Sequence, residues 1–479
     1  MVSKKYATKL SSAFHGTLPN GLVAPSKRDA TPIYLLAAKK LSPWIKKQKS
    51  SVQSWIKTQN FSAKAGQILS VPSPGGELAM ILIGYDEINL WCLAGLPMQI
   101  PTGEYHLAND ADFTDLELRD LCLGWSMGCY QFTRYKKPSR VPAQLRLPGR
   151  AIDADYIAMA AQAMYLTRDL VNTPAEDMTP EHLESIARNM AKSHGAKFRS
   201  IVGDDLIAAN YPLIHAVGRA GSRPPRLIDM RFGNPKHKKL TLVGKGVCFD
   251  TGGLDIKNDS GMLIMKKDMG GAAHALALAH WIMAARLPVY LRVLIPAVEN
   301  NIDRNAFRPL DIFRSRKGLT VEIGNTDAEG RLILADCLSE AADEQPDLII
   351  DFATLTGAAR VALGPDLPAM FCNQTDLSVK MVHHAMQSND PSWPMPLWKN
   401  YRPWLDSKIA DINNTASQSF AGAITAALFL QEFVTPQTPW IHFDLYAWNA
   451  YDRPGRPQGG EAMCLRSVFS LLQERYKHG

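Results

Sequence analysis

Asn325-Thr326-Asp327-Ala328-Glu329-Gly330-Arg331 places two carboxylates two positions apart, then a glycine and a guanidinium, just ahead of the apolar helical pattern Leu332–Leu338. Hard divalent cations take several oxygen ligands, and a fixed turn at a helix start can supply them. Gly330 is expected to let the backbone bend there. Upstream, the stretches Val243–Lys257 and Met265–Ala272 set Lys245, Asp250, Lys257 and Asp268 among glycines. Gly244-Lys245-Gly246 lacks P-loop spacing and no GxGxxG follows, so nucleotide binding is a poor reading. Carboxylates at 250, 268, 327 and 329, all near glycines and element ends, point instead to a divalent-metal centre. Each residue has an ordinary alternative. Asp268 or Asp327 could cap the helix that follows it, and Arg331 could be a surface helix residue. Lys245, between glycines after a buried strand, is harder to read as a solvated lysine. Singly the ordinary readings compete; jointly they lose.

The elements that must position these residues alternate. Leu240–Val243, Val289–Ile295 and Leu348–Phe352 read as buried strands, and Ala272–Ala285 and Leu332–Glu344 as helices. Such alternation implies a mostly parallel α/β sheet, with ligands beyond the carboxyl ends of its strands. The metal-type residues follow those ends, as does Ala353-Thr354-Leu355-Thr356-Gly357. Residues 1–140 read as a separate lobe with strand-like runs such as Glu77–Ile83 and an amphipathic helix around Asp115–Tyr130. Lys136–Pro142 has linker chemistry, and Ala151–Val171 is a helical pattern suited to bridging. The expected class is therefore α/β with two domains, each a mostly parallel or mixed sheet flanked by helices. Their bounds are 1–140, a linker and bridging helix at 141–172, and a catalytic domain at 173–479.

The chain of 479 residues, 46% hydrophobic and 21% charged, is ordinary for a globular protein of more than one domain. No stretch approaches the roughly 20 apolar residues of a membrane span. No secretory apolar region follows the basic start. The first 28 residues lack acids, which would suit an organellar presequence, but their single arginine, Arg28, argues against one. Seven scattered cysteines form no CxxC pair and read as reduced core thiols of a cytoplasmic protein. Residues 1–60 hold eleven Lys and Arg against one acid, Asp29. Nucleic-acid binding through that lobe is an alternative, not favoured, because the lysines are dispersed without aromatic interleaving.

With these motifs assembled, the chain resembles the cytosolic leucine aminopeptidase family. The Asn325–Leu332 signature, the Lys245…Asp250…Lys257…Asp268 spacing and the Ala353–Gly357 run carry the likeness, with lesser agreement at Arg168–Ala175, Pro296–Asn300 and Gly422–Leu430. The resemblance implies that Lys245, Asp250, Asp268, Asp327 and Glu329 hold two divalent ions, zinc or manganese first, magnesium or cobalt as alternatives. Asp250 and Glu329 would bridge them. It implies catalytic roles for Lys257 and for Arg331, the latter holding a bicarbonate. Met265 and Thr354 would line the side-chain pocket, and the Leu355 backbone would receive the leaving amine. The implied activity is removal of N-terminal, leucine-like residues from peptides by a homohexamer, with no membrane partner. A different dinuclear amide hydrolase is the enzymatic alternative. Asp255 departs from the family, where many members have serine, and adds a charge near Lys257. Asp259 reads as loop surface. His274, His280, His383 and His384 lack HExxH spacing and read as structural. Tyr451–Gly460 differs from the commonest family ending and would affect substrate preference if it bordered the pocket.

Overall fold

The computed structural model describes residues 18–150 and 152–477. The chain divides into two compact units. One takes in Gly16–Gln162 together with Tyr451–Gln458; the other takes in Ala163–Ala450 and Gly459–Gly479. The basic start at residues 1–17, and with it most of the presequence question, lies outside the described residues.

The first unit is built on strands β1 (Leu22–Val23), β2 (Thr31–Ala37), β3 (Ile68–Pro72), β4 (Leu78–Tyr85), β5 (Glu104–Leu107) and β6 (Gln144–Arg146), in the order β1-β6-β5-β2-β4-β3. All neighbours are parallel except β3 and β4. Ile33, Leu35, Ile81 and Leu82 of its central strands are buried. The helix Asp115–Gly128 opens on a capping box. The Glu117 amide donates to Thr114 Oγ1 at 3.2 Å, and the Thr114 amide donates to Glu117 Oε2 at 2.7 Å. Its Leu118, Leu121 and Trp125 then bury against the sheet unit's core. The linker-like segment is pinned, since Arg140 donates to the carbonyls of Met98 and Ile100 at 2.8 and 2.7 Å. Lys39, Lys40, Lys46 and Lys47 are exposed, and Lys40 lies 3.4 Å from Asp112.

The second unit carries β7 (Lys197–Val202), β8 (Arg226–Phe232), β9 (Lys239–Gly244), β10 (Gly246–Asp250), β11 (Tyr290–Asn300), β12 (Ile312–Arg314), β13 (Thr320–Glu322), β14 (Leu348–Ala353), β15 (Ala369–Cys372), β16 (Trp393–Pro394), β17 (Ile412–Asn413) and β18 (Trp440–Asp444). The main sheet runs β16-β15-β18-β14-β9-β11-β8-β7, with β10 added to β11; β12, β13 and β17 form a small separate sheet. The centre β18-β14-β9-β11 is parallel and the flanks bring in antiparallel pairs, so the sheet is mixed. Continuous apolar strands of this kind need cover on both faces. Ile349 packs in one cluster with Leu332–Ala342 of the helix Gly330–Asp343, whereas Phe352 stacks with His274 of the helix Gly270–Ala284. Residues three apart on a strand face opposite sides, so the two helices cover opposite faces.

All seven cysteines are free. Cys122, Cys129, Cys248, Cys337 and Cys464 are buried; burial alone pushes the Cys122 thiol up to about 12. No described helix is long and apolar enough to cross a membrane.

Candidate metal centre

The parallel core delivers its residues to one edge. Lys245 follows β9, Asp250 ends β10, Thr354 and Leu355 follow β14, and Asp444 ends β18. The backbone of Lys245 is locked between β14 and the helix Gly270–Ala284: its N–H donates to Phe352 O at 3.0 Å and its carbonyl accepts from the Ala272 amide at 2.8 Å. Such close approach needs small residues. A Cβ at Gly271 would sit 2.1 Å from Phe352 O and 2.8 Å from the Lys245 nitrogen. Asp268 comes from the short 3₁₀ turn Met265–Met269. Asp327 and Glu329 come from the turn into the helix Gly330–Asp343.

These side chains converge. Asp250, Asp327 and Glu329 each offer a carboxylate oxygen within 4.8 Å of the others, and no histidine joins the cluster among the described residues. Lys245 Nζ lies 2.8 Å from Asp268 Oδ2, 3.0 Å from Glu329 Oε1 and 3.1 Å from Thr354 O. Lys257 Nζ lies 2.9 Å from Asp250 Oδ2 and also contacts Asp327 Oδ1. Thr354 Oγ1 donates to Asp268 Oδ1 at 2.8 Å. Asn300 Nδ2 and the Gly252 amide both donate to Asp250 Oδ1 at 2.9 Å, fixing that carboxylate.

The charge balance is what a metal centre requires. Burial, then the charge of Asp250, pushes the Glu329 carboxyl up to about 8; the same causes raise Asp327 to about 6. Burial works against the Lys245 ammonium, but Asp268, Glu329 and Asp250 outweigh it and hold its pKa above the ordinary lysine range. Lys257 is treated likewise by Asp250 and Asp327. Among the described residues Glu329 Oε2 is buried without a partner, while Glu329 Oε1 and Asp268 Oδ2 are buried against the Lys245 ammonium. Buried carboxylate oxygens lacking donors are costly and want cations. Asp250, Asp268, Asp327 and Glu329 are a carboxylate set that fits hard divalent ions, and Lys245 can join it as an amine ligand only when bound cations drive off its proton.

The capping alternatives fail. Neither helix has a side-chain N-cap bond; Met269 and Glu329 occupy those positions. Arg331 is buried instead of surface-lying. It donates from Nη1 to Asn414 O at 2.6 Å, while Nε has no hydrogen-bond partner among the described residues. Burial lowers its pKa to about 10, still cationic. Gly330 has no positive φ. The turn into the helix does not draw on the left-handed freedom of a glycine; Gly330 makes room for the Lys245 side chain, which a Cβ would meet at 2.6 Å. The charge of Asp255 is directed at the turn: Asp255 Oδ2 accepts the Thr326 amide at 2.8 Å, and Thr326 Oγ1 accepts the Asp255 amide at 2.8 Å. The histidines are placed elsewhere. His274 bonds Gly270 O and the Met463 amide, His280 meets His194, and His384 meets Ser470. His383 is exposed.

Lys245, Asp250, Lys257, Met265, Asp268, Asp327, Arg331, Thr354 and Leu355 all line one cleft of ≈ 670 Å³; Glu329 lies behind it, bonded to Lys245. Three further residues of the cleft were not singled out from sequence. Asp444 accepts the amides of Leu355 and Thr356 at 3.0 and 3.1 Å and the Thr356 hydroxyl at 2.6 Å, which fixes the Leu355 turn. Its place at a strand end was the available signal, but Trp440–Asp444 was not read as a strand. Lys267, beside Asp268, is buried, and burial lowers its pKa to about 8. Its ammonium lies 5.1 Å from the Tyr446 ring centroid, and the Arg360 guanidinium lies 4.8 Å from the same ring. Nothing in a doubled lysine distinguishes a buried member from a surface one.

Comparison with known proteins points to one family. The model described as the cytosol aminopeptidase family, catalytic domain, matches residues 165–469, and that of the M17 aminopeptidase N-terminal domain matches 31–148. A probable cytosol aminopeptidase of Syntrophotalea carbinolica is 39% identical over 368 residues, 73% of this chain and 74% of the relative. The crystal structure of a cytosol aminopeptidase from Coxiella burnetii is similar at a TM-score of 0.92 and 49% identity, covering 95% of this chain and 99% of that one. The bottromycin maturation enzyme BotP in complex with Mn is similar at a TM-score of 0.83 and 29% identity, covering 94% and 100%.

Proposed function

Because the chain belongs to the cytosol aminopeptidase family, we propose that this peptidase removes N-terminal residues from peptides at a two-metal centre held by Lys245, Asp250, Asp268, Asp327 and Glu329. One observation carries the reading: the carboxylate oxygens of Asp250, Asp327 and Glu329 gather within 4.8 Å, with Lys245 Nζ between Glu329 and Asp268. The manganese in the BotP complex supports manganese as one suitable ion; zinc, magnesium and cobalt accept the same donors. Ions bound there would lower the pKa of water towards neutrality and supply positive charge to a developing oxyanion.

The remaining roles belong to the chain itself. Lys257, kept cationic by Asp250 and Asp327, can donate to a peptide carbonyl oxygen as it becomes negative. Arg331 cannot act as a base. Its buried, unpartnered Nε suits it to hold a small oxyanion such as bicarbonate beside the path of the transferred proton. The N–H of Leu355 is already bonded to Asp444, so its carbonyl is the group left to accept from the leaving amine. Met265 and Thr354, on the same cleft, give the N-terminal side chain an apolar wall that accepts leucine-like residues. A free α-amine is required, and assembly as a cytoplasmic homohexamer completes the reading; sedimentation in dilute buffer tests the assembly.

The catalytic test uses protein stripped by chelation and reloaded separately with Mn²⁺, Zn²⁺, Co²⁺ or Mg²⁺. Leucine amide should be cleaved with at least one ion, and N-acetyl-leucine amide with none. Cleavage of the blocked amide would favour a different amide hydrolase. An Asp250→Ala variant that stays active and metal-replete would refute the site.

A further inference from the structure

Lys267 is 5% exposed on the wall of the cleft, one residue from Asp268 and two from Met265. Its ammonium approaches one side chain closely, the Tyr446 ring at 5.1 Å, and Arg360 at the cleft mouth approaches that ring at 4.8 Å. Among the described residues neither cation has a carboxylate within ion-pairing distance. The carboxylates around them are already engaged. Asp268 faces Lys245 at 2.8 Å, and Asp444 is filled by Leu355 and Thr356. An ammonium facing the cleft with no anion beside it is compensated only in part by a ring face. The deficit is largest in a working enzyme, because divalent ions would take up the Asp268 charge. The same wall carries the apolar Met265 and the Thr354 methyl. A ligand fitting it has a short aliphatic stem and an anionic end.

We infer that the pocket for the N-terminal side chain is a carboxylate receptor, in which Lys267 and Arg360, set around Tyr446, select peptides beginning with glutamate or aspartate. The inference rests on the aminopeptidase reading above and adds the substrate class. Leucine remains acceptable, since it matches the stem and lacks only the charge. Glutamine is the discriminating comparison, because it has the shape of glutamate without its charge. Lys267 and Arg360 are specificity residues here; the hydrolytic groups are those already assigned.

The experiment measures kcat/KM of the metal-loaded enzyme for Glu-, Gln-, Asp-, Asn- and Leu-amide, in wild type, Lys267→Met and Arg360→Gln. Wild type should prefer Glu over Gln and Asp over Asn by about tenfold, equivalent to about 1.4 kcal/mol. Lys267→Met should erase that ratio while Leu-amide is still cleaved. Arg360→Gln, at an exposed position, should reduce the ratio with the fold untouched. The wild-type ratio needs no variant, so a misfolded Lys267→Met leaves the test intact. Leu-amide cleavage with a Glu-to-Gln ratio at or below one overturns the inference and leaves the aminopeptidase reading standing. A ratio unchanged in both variants overturns the assignment to Lys267 and Arg360. Cleavage of no free-amine substrate with any ion overturns both.

Discussion

A Cβ added at Gly330 would fall 2.7 Å from Nζ of Lys245. The clash is with the far end of a side chain and not with backbone, so the fold can yield. That side chain, however, is held by Asp268, Glu329 and the Thr354 carbonyl. Gly330→Ala is therefore expected to leave the metal-free melting temperature within a few degrees of wild type, and to lower metal affinity and kcat/KM by at least about tenfold. Calorimetry of the stripped protein and a metal titration separate the two effects. A variant with normal affinity would show that Lys245 can move without cost.

Gly271→Ala should behave in the opposite way. Its Cβ would press on two backbone atoms, Phe352 O at 2.1 Å and Lys245 N at 2.8 Å, and neither can rotate aside. A destabilisation of about 3 kcal/mol, the upper range for overpacking, is expected. Denaturant unfolding of the stripped protein would measure it, and a midpoint equal to wild type would contradict the close packing of the helix Gly270–Ala284 on β14.

His274 makes stability depend on acid. Its Nδ1 donates to Gly270 O at 2.6 Å and its Nε2 accepts the Met463 amide at 2.9 Å, so the ring is bonded as the neutral form. Burial pulls its pKa down to about 4 from 6.5. The unfolded chain binds the proton first, so stability present above pH 6.5 is lost as pH falls towards 4, by about 3 kcal/mol in all. Unfolding free energies at pH 7, 6, 5 and 4.5 should fall more steeply in wild type than in His274→Asn. Parallel curves would remove this assignment.

Asp255→Asn should retain kcat/KM within about twofold. The carboxylate accepts the Thr326 amide at 2.8 Å, and an amide oxygen can replace that acceptor. Asp255→Ala should instead loosen the turn and cost about 1 kcal/mol. A displaced pH–rate profile in the asparagine variant would show that the charge acts on Lys257 after all.

Asp444→Asn should lower kcat more than it raises KM. Asp444 receives three donors, from Leu355 N, Thr356 N and Thr356 Oγ1, and an amide can serve only part of that set. The Leu355 carbonyl would lose its aim while the pocket wall stays in place. Equal effects on both constants, or none, would mean that the turn holds itself.

What could be read from the sequence, and what could not, follows from range. Lys245, Asp250, Asp268, Asp327 and Glu329 each stand beside glycines at a strand end or helix start, and the strands β9, β11 and β14 announce themselves as apolar runs. These local signals also fixed the α/β class. Asn414, which accepts Arg331 and also bonds the Asn325 carbonyl at 2.8 Å, acts from 89 residues away, and no local pattern marks it. Gly330 was visible, but its reason was not: a glycine required by φ and one required by a neighbour's bulk look alike in sequence. Asp255 looked like added charge because Thr326, which it binds, lies 71 residues on. Lys267 stood in plain view inside a motif, but burial is a tertiary property.

The segment Tyr451–Gln458 belongs to the unit begun by Gly16–Gln162. Within it the Arg456 guanidinium lies 4.6 Å from the ring of Trp91, and Gly455, at φ +68°, passes so near that a Cβ would come within 2.7 Å of Ala94. During synthesis, Trp91 leaves the ribosome hundreds of residues ahead of its partner. Domains usually finish folding in the order they emerge, but here a unit containing Trp91 is completed by a segment made hundreds of residues later. A nascent polypeptide stalled before residue 451 would thus display an unfinished surface around Trp91, a mark by which quality control could tell a truncated product from a whole one.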